Sequence, residues 1–238
     1  MIFYFDAAMH TQQGFVDMNG YVGDARVSPS GNYIAMVRSP EYINTLNLAT
    51  SENIAGLTVV DISDSRNPRA IRSAFDRDAA AVIQFAWHGD DQYVYMTLDG
   101  TLYAGTAAGG QASDRQIGRF SSSTLIKGEF SLHPSGTSFL IQAAKAPDNY
   151  DIYLCGIDGR IQRQMTAVGR GYDPLWSPDG SWFMFKVASD IGCSDPGCTS
   201  TCSAYYAPAT ASNLVEADAI GLDSLTVPCL GDHYWSVA

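Results

Sequence analysis

Five positions in the chain carry side chains that could act together. Asp24, Gln84, Glu129 and Asp173 each stand five residues before a turn anchor, at Pro29, Gly89, Pro134 and Pro178. Asp232 holds the same place before Val237. Carboxylates repeated at one structural position attract a divalent cation such as Ca2+, which takes roughly six to eight oxygens. They also attract Lys and Arg from a basic partner. The plainer reading, preferred on sequence alone, is that each acid accepts hydrogen bonds within its own turn. A repeat reproduces its side chains whether or not they bind anything.

A second chemical group lies near the C-terminus. Cys193, Cys198, Cys202 and Cys229 cluster there, with Cys155 apart, and the first three fall in a Gly/Ser/Asp/Pro stretch. Their spacing misses the Cys-x2-Cys zinc knuckle and departs from the plant-type iron–sulfur pattern. Disulfides are therefore expected ahead of a bound metal or free thiols, with the pairing open.

Catalytic groups are sparse. No Gly-x-Ser-x-Gly elbow, Walker loop or His-Glu-x-x-His helix motif occurs. The four histidines, His10, His88, His133 and His233, are scattered. His88 and His133 stand where Ser28, Ser177 and Ser236 stand in other segments. As metal ligands they would need a convergent third ligand, and the sequence offers none.

The elements that position these residues follow from a repeat. Asp24-Ala-Arg-Val-Ser-Pro-Ser-Gly31, Gln84-Phe-Ala-Trp-His-Gly-Asp-Asp91, Glu129-Phe-Ser-Leu-His-Pro-Ser-Gly136 and Asp173-Pro-Leu-Trp-Ser-Pro-Asp-Gly180 share one pattern. Each ends in a tight turn followed by an apolar run. The anchors are spaced by 60, 45 and 44 residues, the length of one four-stranded propeller blade lengthened once. Third strands are expected over 57–61, 101–105, 151–155 and 204–208, and fourth strands over 69–72, 115–118, 161–166 and 213–216. Two positions before the anchors stand Val27, Trp87, Leu132, Trp176 and Trp235, bulky residues suited to packing between blades.

The segment Asp173-Pro-Leu-Trp-Ser-Pro-Asp-Gly-Ser-Trp-Phe-Met-Phe185 resembles the repeat of TolB-like β-propellers. Asp24–Val37 and Glu129–Ile141 are weaker copies, and Gln84–Met96 lacks the proline. The resemblance implies an all-β propeller of four-stranded antiparallel blades. It extends to the propeller domains of prolyl-oligopeptidase-type peptidases and leaves function open. Blades are expected at about 21–74, 82–120, 127–167 and 171–218, in a single propeller domain or propeller segment over 1–238. A partial blade is drawn from 1–17 and 230–238, where Ile2-Phe-Tyr-Phe-Asp6 resembles a third strand and Asp232–Val237 an inner one. These ends read either as a composite fifth blade or, the preferred expectation, as a cut through a longer propeller.

Composition narrows the classes. Apolar residues make up 46% and charged residues 16%, which excludes a disordered chain. Asp supplies 21 of the 25 acids and Lys three of the 14 bases. Turn-forming acids thus replace the Glu and Lys of helix surfaces. The net charge of −11 argues against nucleic acid or anionic membrane as a partner, and no run approaches the ~18 apolar residues of a spanning helix. Met1–Asp6 carries no basic leader region, so a leader is expected upstream and the location is expected to be periplasmic or extracellular. The expected function is a non-catalytic binding or scaffold module that takes a protein or peptide, a basic one by charge, and requires no cofactor. The alternatives are the substrate-gating propeller of a serine peptidase and, less favoured, a glycan-binding or glycan-active propeller.

Overall fold

The hairpin turns set the architecture. Gly31, Gly136 and Gly180 each lie two residues after a repeat proline, with φ of 75°, 70° and 70°. A left-handed conformation there closes the turn without a Cβ clash. Ser28 N–H then reaches Tyr33 O at 2.8 Å, His133 N–H reaches Ser138 O at 2.9 Å, and Ser177 N–H reaches Trp182 O at 2.9 Å. Each turn is fastened again by the side chain before the proline. Tyr33 N–H donates to Ser28 Oγ at 3.1 Å, Trp182 N–H to Ser177 Oγ at 3.0 Å, and Ser135 N–H to His133 Nδ1 at 3.1 Å.

The computed structural model describes residues 2–6, 11–16, 21–39, 56–64, 67–72, 82–89, 91–120, 126–146, 149–188 and 201–228. They form four four-stranded antiparallel sheets, each with its strands in chain order. The first is β3 (Tyr21–Val27), β4 (Tyr33–Ser39), β5 (Gly56–Asp61) and β6 (Arg69–Arg72). The second is β7 (Val82–His88), β8 (Gln92–Thr97), β9 (Thr101–Thr106) and β10 (Arg115–Arg119). The third is β11 (Ile126–Leu132), β12 (Ser138–Ala146), β13 (Asn149–Gly156) and β14 (Ile161–Gln164). The fourth is β15 (Gly171–Trp176), β16 (Trp182–Ala188), β17 (Thr201–Pro208) and β18 (Ile220–Pro228). The arrangement is that of β-propeller blades, with almost no helix. At the N-terminus β1 (Ile2–Asp6) pairs with β2 (Thr11–Val16) in a two-stranded sheet. The composite fifth blade turns on 230–238, outside the described residues.

One strand differs from the sequence expectation. The fourth strand of the last blade is Ile220–Pro228, not Asn213–Glu216. Asn213 turns the chain with a φ of 48°, Leu214 bridges to Thr166, and a short 3-10 turn follows at Glu216–Asp218. The segment resembling a strand is spent fastening the fourth blade to the third.

The chain divides into two compact units, Met1–Ile117 and Gly118–Ala238. In the first, Ala35, Val37, Leu57 and Val59 of the first blade bury against Phe85, Tyr93 and Tyr95 of the second. In the second, Leu140 and Ile152 of the third blade bury against Trp176, Phe183, Phe185 and Val187 of the fourth. Alternation along each strand makes this possible, since every second side chain points to the same neighbour.

Candidate functional site

Each inner strand breaks its ladder at one place. The register with the second strand shifts between Val22 and Asp24, between Val82 and Gln84, between Ile126 and Phe130, and between Tyr172 and Leu175. The four residues singled out in the sequence, Asp24, Gln84, Glu129 and Asp173, all lie at these bulges. A bulge re-aims a side chain away from the regular pleat, so the repeat provides a specialised position at the start of every inner strand.

The position is filled differently in the two units. Asp173 takes a left-handed conformation, φ 47°, ahead of Pro174. Its Oδ2 accepts from Lys186 Nζ of β16 at 2.7 Å. The Lys186 side chain is fully buried and that of Asp173 is 24% exposed. A buried ammonium requires an anion beside it, and Asp173 supplies one. Gln84 is buried and stands opposite Met96 in register, a neutral pairing within the core. Asp24 pairs in register with Val37. Asp232 lies outside the described residues. The carboxylate position is thus an internal charge pair in one blade and a neutral amide in another.

Of the cysteines, Cys202 is buried on β17, in register between Ala188 and Val227. Cys193, Cys198 and Cys229 lie outside the described residues. Cys155 is a free thiol that burial, and then the Asp158 charge, push up to about 12, which leaves it an unreactive core residue. Among the described residues no group of three or more His, Cys, Asp or Glu side chains could hold a metal ion. His133 Nδ1 serves its own turn, accepting from Ser135 N–H, with Ser135 Oγ 2.8 Å away.

The repeated bulky position lies between blades at Trp87 and Trp176, whereas Val27 is 52% exposed. Trp87 Nε1 donates to Arg26 O of the preceding blade at 3.0 Å. Trp176 N–H donates to Ser131 Oγ of its preceding blade at 3.0 Å, and the indole meets the His133 ring edge-on at 4.8 Å. Arg26 and Ser131 both stand three residues before their anchors, but the bonds differ: an indole N–H meets a backbone carbonyl in the first unit, and a backbone N–H meets a hydroxyl in the second.

Two polar clusters escaped the sequence reading. Arg72, fully buried, pairs with Asp114 at 2.9 Å. Asp114 also accepts from Tyr93 Oη at 2.6 Å and Tyr95 Oη at 3.0 Å, and burial, with Asp114 beside it, pushes the Tyr93 phenol up. The partners are 42 residues apart, close to one repeat, and that offset is the signal that could have joined them. In the second unit Asp151 accepts from Gln164 Nε2 at 3.1 Å, Thr166 Oγ1 at 3.1 Å, Val168 N–H at 2.9 Å and Gly169 N–H at 3.1 Å. It clamps the passage from β14 into β15, and nothing in its spacing foretells this.

No family model matches the chain, and no curated protein matches it. Solved structures do. A chain assigned as TolB from Agrobacterium tumefaciens shares 16% identity and a TM-score of 0.55, over 88% of this chain and 67% of that one. The fold is TolB-like. TolB from Acinetobacter baumannii gives 20% identity and a TM-score of 0.45 over 74% of this chain. A chain of a nidogen/laminin complex gives 13% and 0.48 over 73%. This TolB-like chain spans 39% of the Acinetobacter protein and 60% of the nidogen/laminin chain. Among its described residues no helix is long and apolar enough to cross a membrane.

Proposed function

We propose that the chain is a non-catalytic module that binds a protein or peptide outside the cytoplasm, through the end of its sheets where the inner strands begin. The distribution of connection lengths carries this reading. β8 passes to β9 through Leu98-Asp99-Gly100 alone, whereas 16 residues, 40–55, join β4 to β5 and 12 residues, 189–200, join β16 to β17. In an antiparallel sheet each such connection emerges where its own inner strand starts, the end that carries Asp24 and Asp173. Long connections on rigid strands are the usual place for recognition.

The partner is basic by charge complementarity with a chain of net charge −11. The reading needs no cofactor. Cys202 is bonded as a half-cystine, which supports at least one disulfide in the cysteine group and, with the TolB-like fold, a location beyond the reducing cytoplasm.

The test replaces 40–55, and separately 189–200, by an Asp-Gly turn like that of Leu98–Gly100. Binding to an array of Lys- and Arg-rich peptides is then compared with the parent chain. We expect binding to fall in both, with the melting temperature held by the 40–55 replacement and lowered by the 189–200 replacement if that removes the partner of Cys202. Undiminished binding by both shortened chains, or no binding by the parent, would overturn the reading.

A further inference from the structure

β16 is two-faced. Phe183, Phe185 and Val187 bury against the third blade, so by alternation Trp182 and Met184 lie on the other face of the sheet. Pro208 of β17 stands opposite Trp182, Tyr206 stands opposite Met184, and Ile220 of β18 stands opposite Tyr206. At the end of the sheet nearest the Ser177–Ser181 turn this face is open. Trp182 is 37% and Ile220 45% exposed, Pro208 is exposed and Tyr206 is half-buried. The Trp182 and Tyr206 rings meet edge-on with 5.6 Å between their centroids. They form an aromatic strip with a proline and an isoleucine at its margins.

The charge around the strip is of one sign. Residues 171–228 contain seven acids and a single base, Lys186, whose side chain is fully buried beside Asp173. The side chains of the fourth blade therefore offer no cation to solvent. Asp179 is exposed in the turn that leads into Trp182. The two are joined through Ser177, whose hydroxyl donates to Asp179 Oδ1 at 2.6 Å and accepts from Trp182 N–H at 3.0 Å. Asp218, also exposed, stands two residues before Ile220 at the opposite margin. Exposed rings rimmed by carboxylates suit a cationic side chain, because the face of an indole attracts a cation. A guanidinium stacks on such a ring while its edge donates to a carboxylate. An anionic partner would be repelled.

We propose that this strip docks an arginine-bearing segment of another protein, with a guanidinium over the Trp182 indole and flanking basic groups toward Asp179 and Asp218. The strip lies where β16 begins, whereas the long connection 189–200 leaves where β16 ends. It is thus a second surface, beyond the one proposed above.

Fluorescence anisotropy with a labelled peptide of alternating Gly and Arg reads the affinity. Trp182→Leu keeps apolar bulk and removes the ring, and it should weaken binding roughly threefold to fivefold. The same ratio is expected in the chain shortened at 40–55, which separates this surface from the other. Asp218→Asn should weaken binding further and flatten its salt dependence. Equal affinity of the parent chain and Trp182→Leu overturns the proposal, as does a parent that does not bind the peptide. If circular dichroism shows that Trp182→Leu has lost the fold, Trp182→Phe decides, with intermediate affinity expected and parental affinity contradicting the assignment. Two other outcomes also overturn it. Loss in Trp182→Leu of binding to neutral oligosaccharides, with peptide binding unchanged, would make the strip a sugar platform. Loss of a concentration-dependent dimer in sedimentation, again with peptide binding unchanged, would make it an interface between copies.

Discussion

The Asp173 carboxylate and the Lys186 ammonium sit 2.7 Å apart at the inner-strand bulge of the fourth blade, and the lysine side chain has no exposed surface. Removing one partner of such a pair leaves a buried charge uncompensated, at a cost of about 3–5 kcal/mol. Asp173→Asn should therefore lower stability by that order in urea denaturation, and Asp173→Asn combined with Lys186→Met should recover most of the loss. A single mutant as stable as the parent would show that the pair is not formed in solution.

The same pair bears on calcium. A carboxylate already neutralised by a buried lysine contributes little to a divalent site, which needs several uncommitted oxygens. Calorimetric titration of the parent chain with Ca2+ should give no saturable heat that depends on Asp173. Saturable binding lost in Asp173→Asn would return the repeated acids to the role of a cation ring.

Arg72 and Asp114 tie the outer strand of the first blade to the second. Asp114→Asn should cost about 3–5 kcal/mol, by leaving the buried guanidinium without its anion. Tyr93→Phe, which removes one hydroxyl donor at 2.6 Å, should cost roughly 1–2 kcal/mol. Denaturant midpoints of the two variants give the comparison, and equal losses would count against a network centred on the ion pair.

Asp179 and Asp61 are both carboxyls held below the ordinary range, Asp61 by Ser63. Asp179 is held down to about 2, from an ordinary 3.8, chiefly by the Ser177 hydroxyl and then by Ser181. A depressed carboxyl adds stability above its unfolded value and loses it as pH falls through the folded one. The gap between the parent chain and Asp179→Asn should thus be full at neutral pH and close between about pH 4 and 2. A gap that stays constant over this window would mean that the asparagine caps the turn equally well.

Much of the fold was written in local chemistry. The Pro-Ser-Gly and Pro-Asp-Gly turns need a left-handed glycine, and the runs after them alternate as strands must, so the inner hairpins could be read off directly. Arg69–Arg72 was placed to the residue. The last outer strand was missed because Asn213–Glu216 has strand-like residues that tertiary bonds divert into a turn. The bulge position was legible as a repeated acid, but its content was not. Whether Asp173 faces a cation from outside or one from the next strand depends on Lys186, thirteen residues away and unremarkable by itself. Arg72 and Asp114 were hidden for the same reason, since burial of charge appears only once two blades are assembled.

The second blade shows how such repeats can be exchanged. Its turn is one residue shorter, pairing Trp87 with Tyr93 where its relatives pair Val27 with Ile34, Leu132 with Phe139 and Trp176 with Phe183. A one-residue slip would ordinarily turn every side chain of the following strand to the wrong neighbour. Here the strand itself is offset by one, so Tyr93 and Tyr95 occupy the places of Phe183 and Phe185. The turn absorbs the missing residue and the strand keeps its phase. A chimaera that puts the longer turn of Ser177–Ser181 in place of His88–Asp91 would still set Tyr93 opposite Trp87, with its side chains facing the same neighbours. Length at this corner is free to vary where the facing of the strand is not.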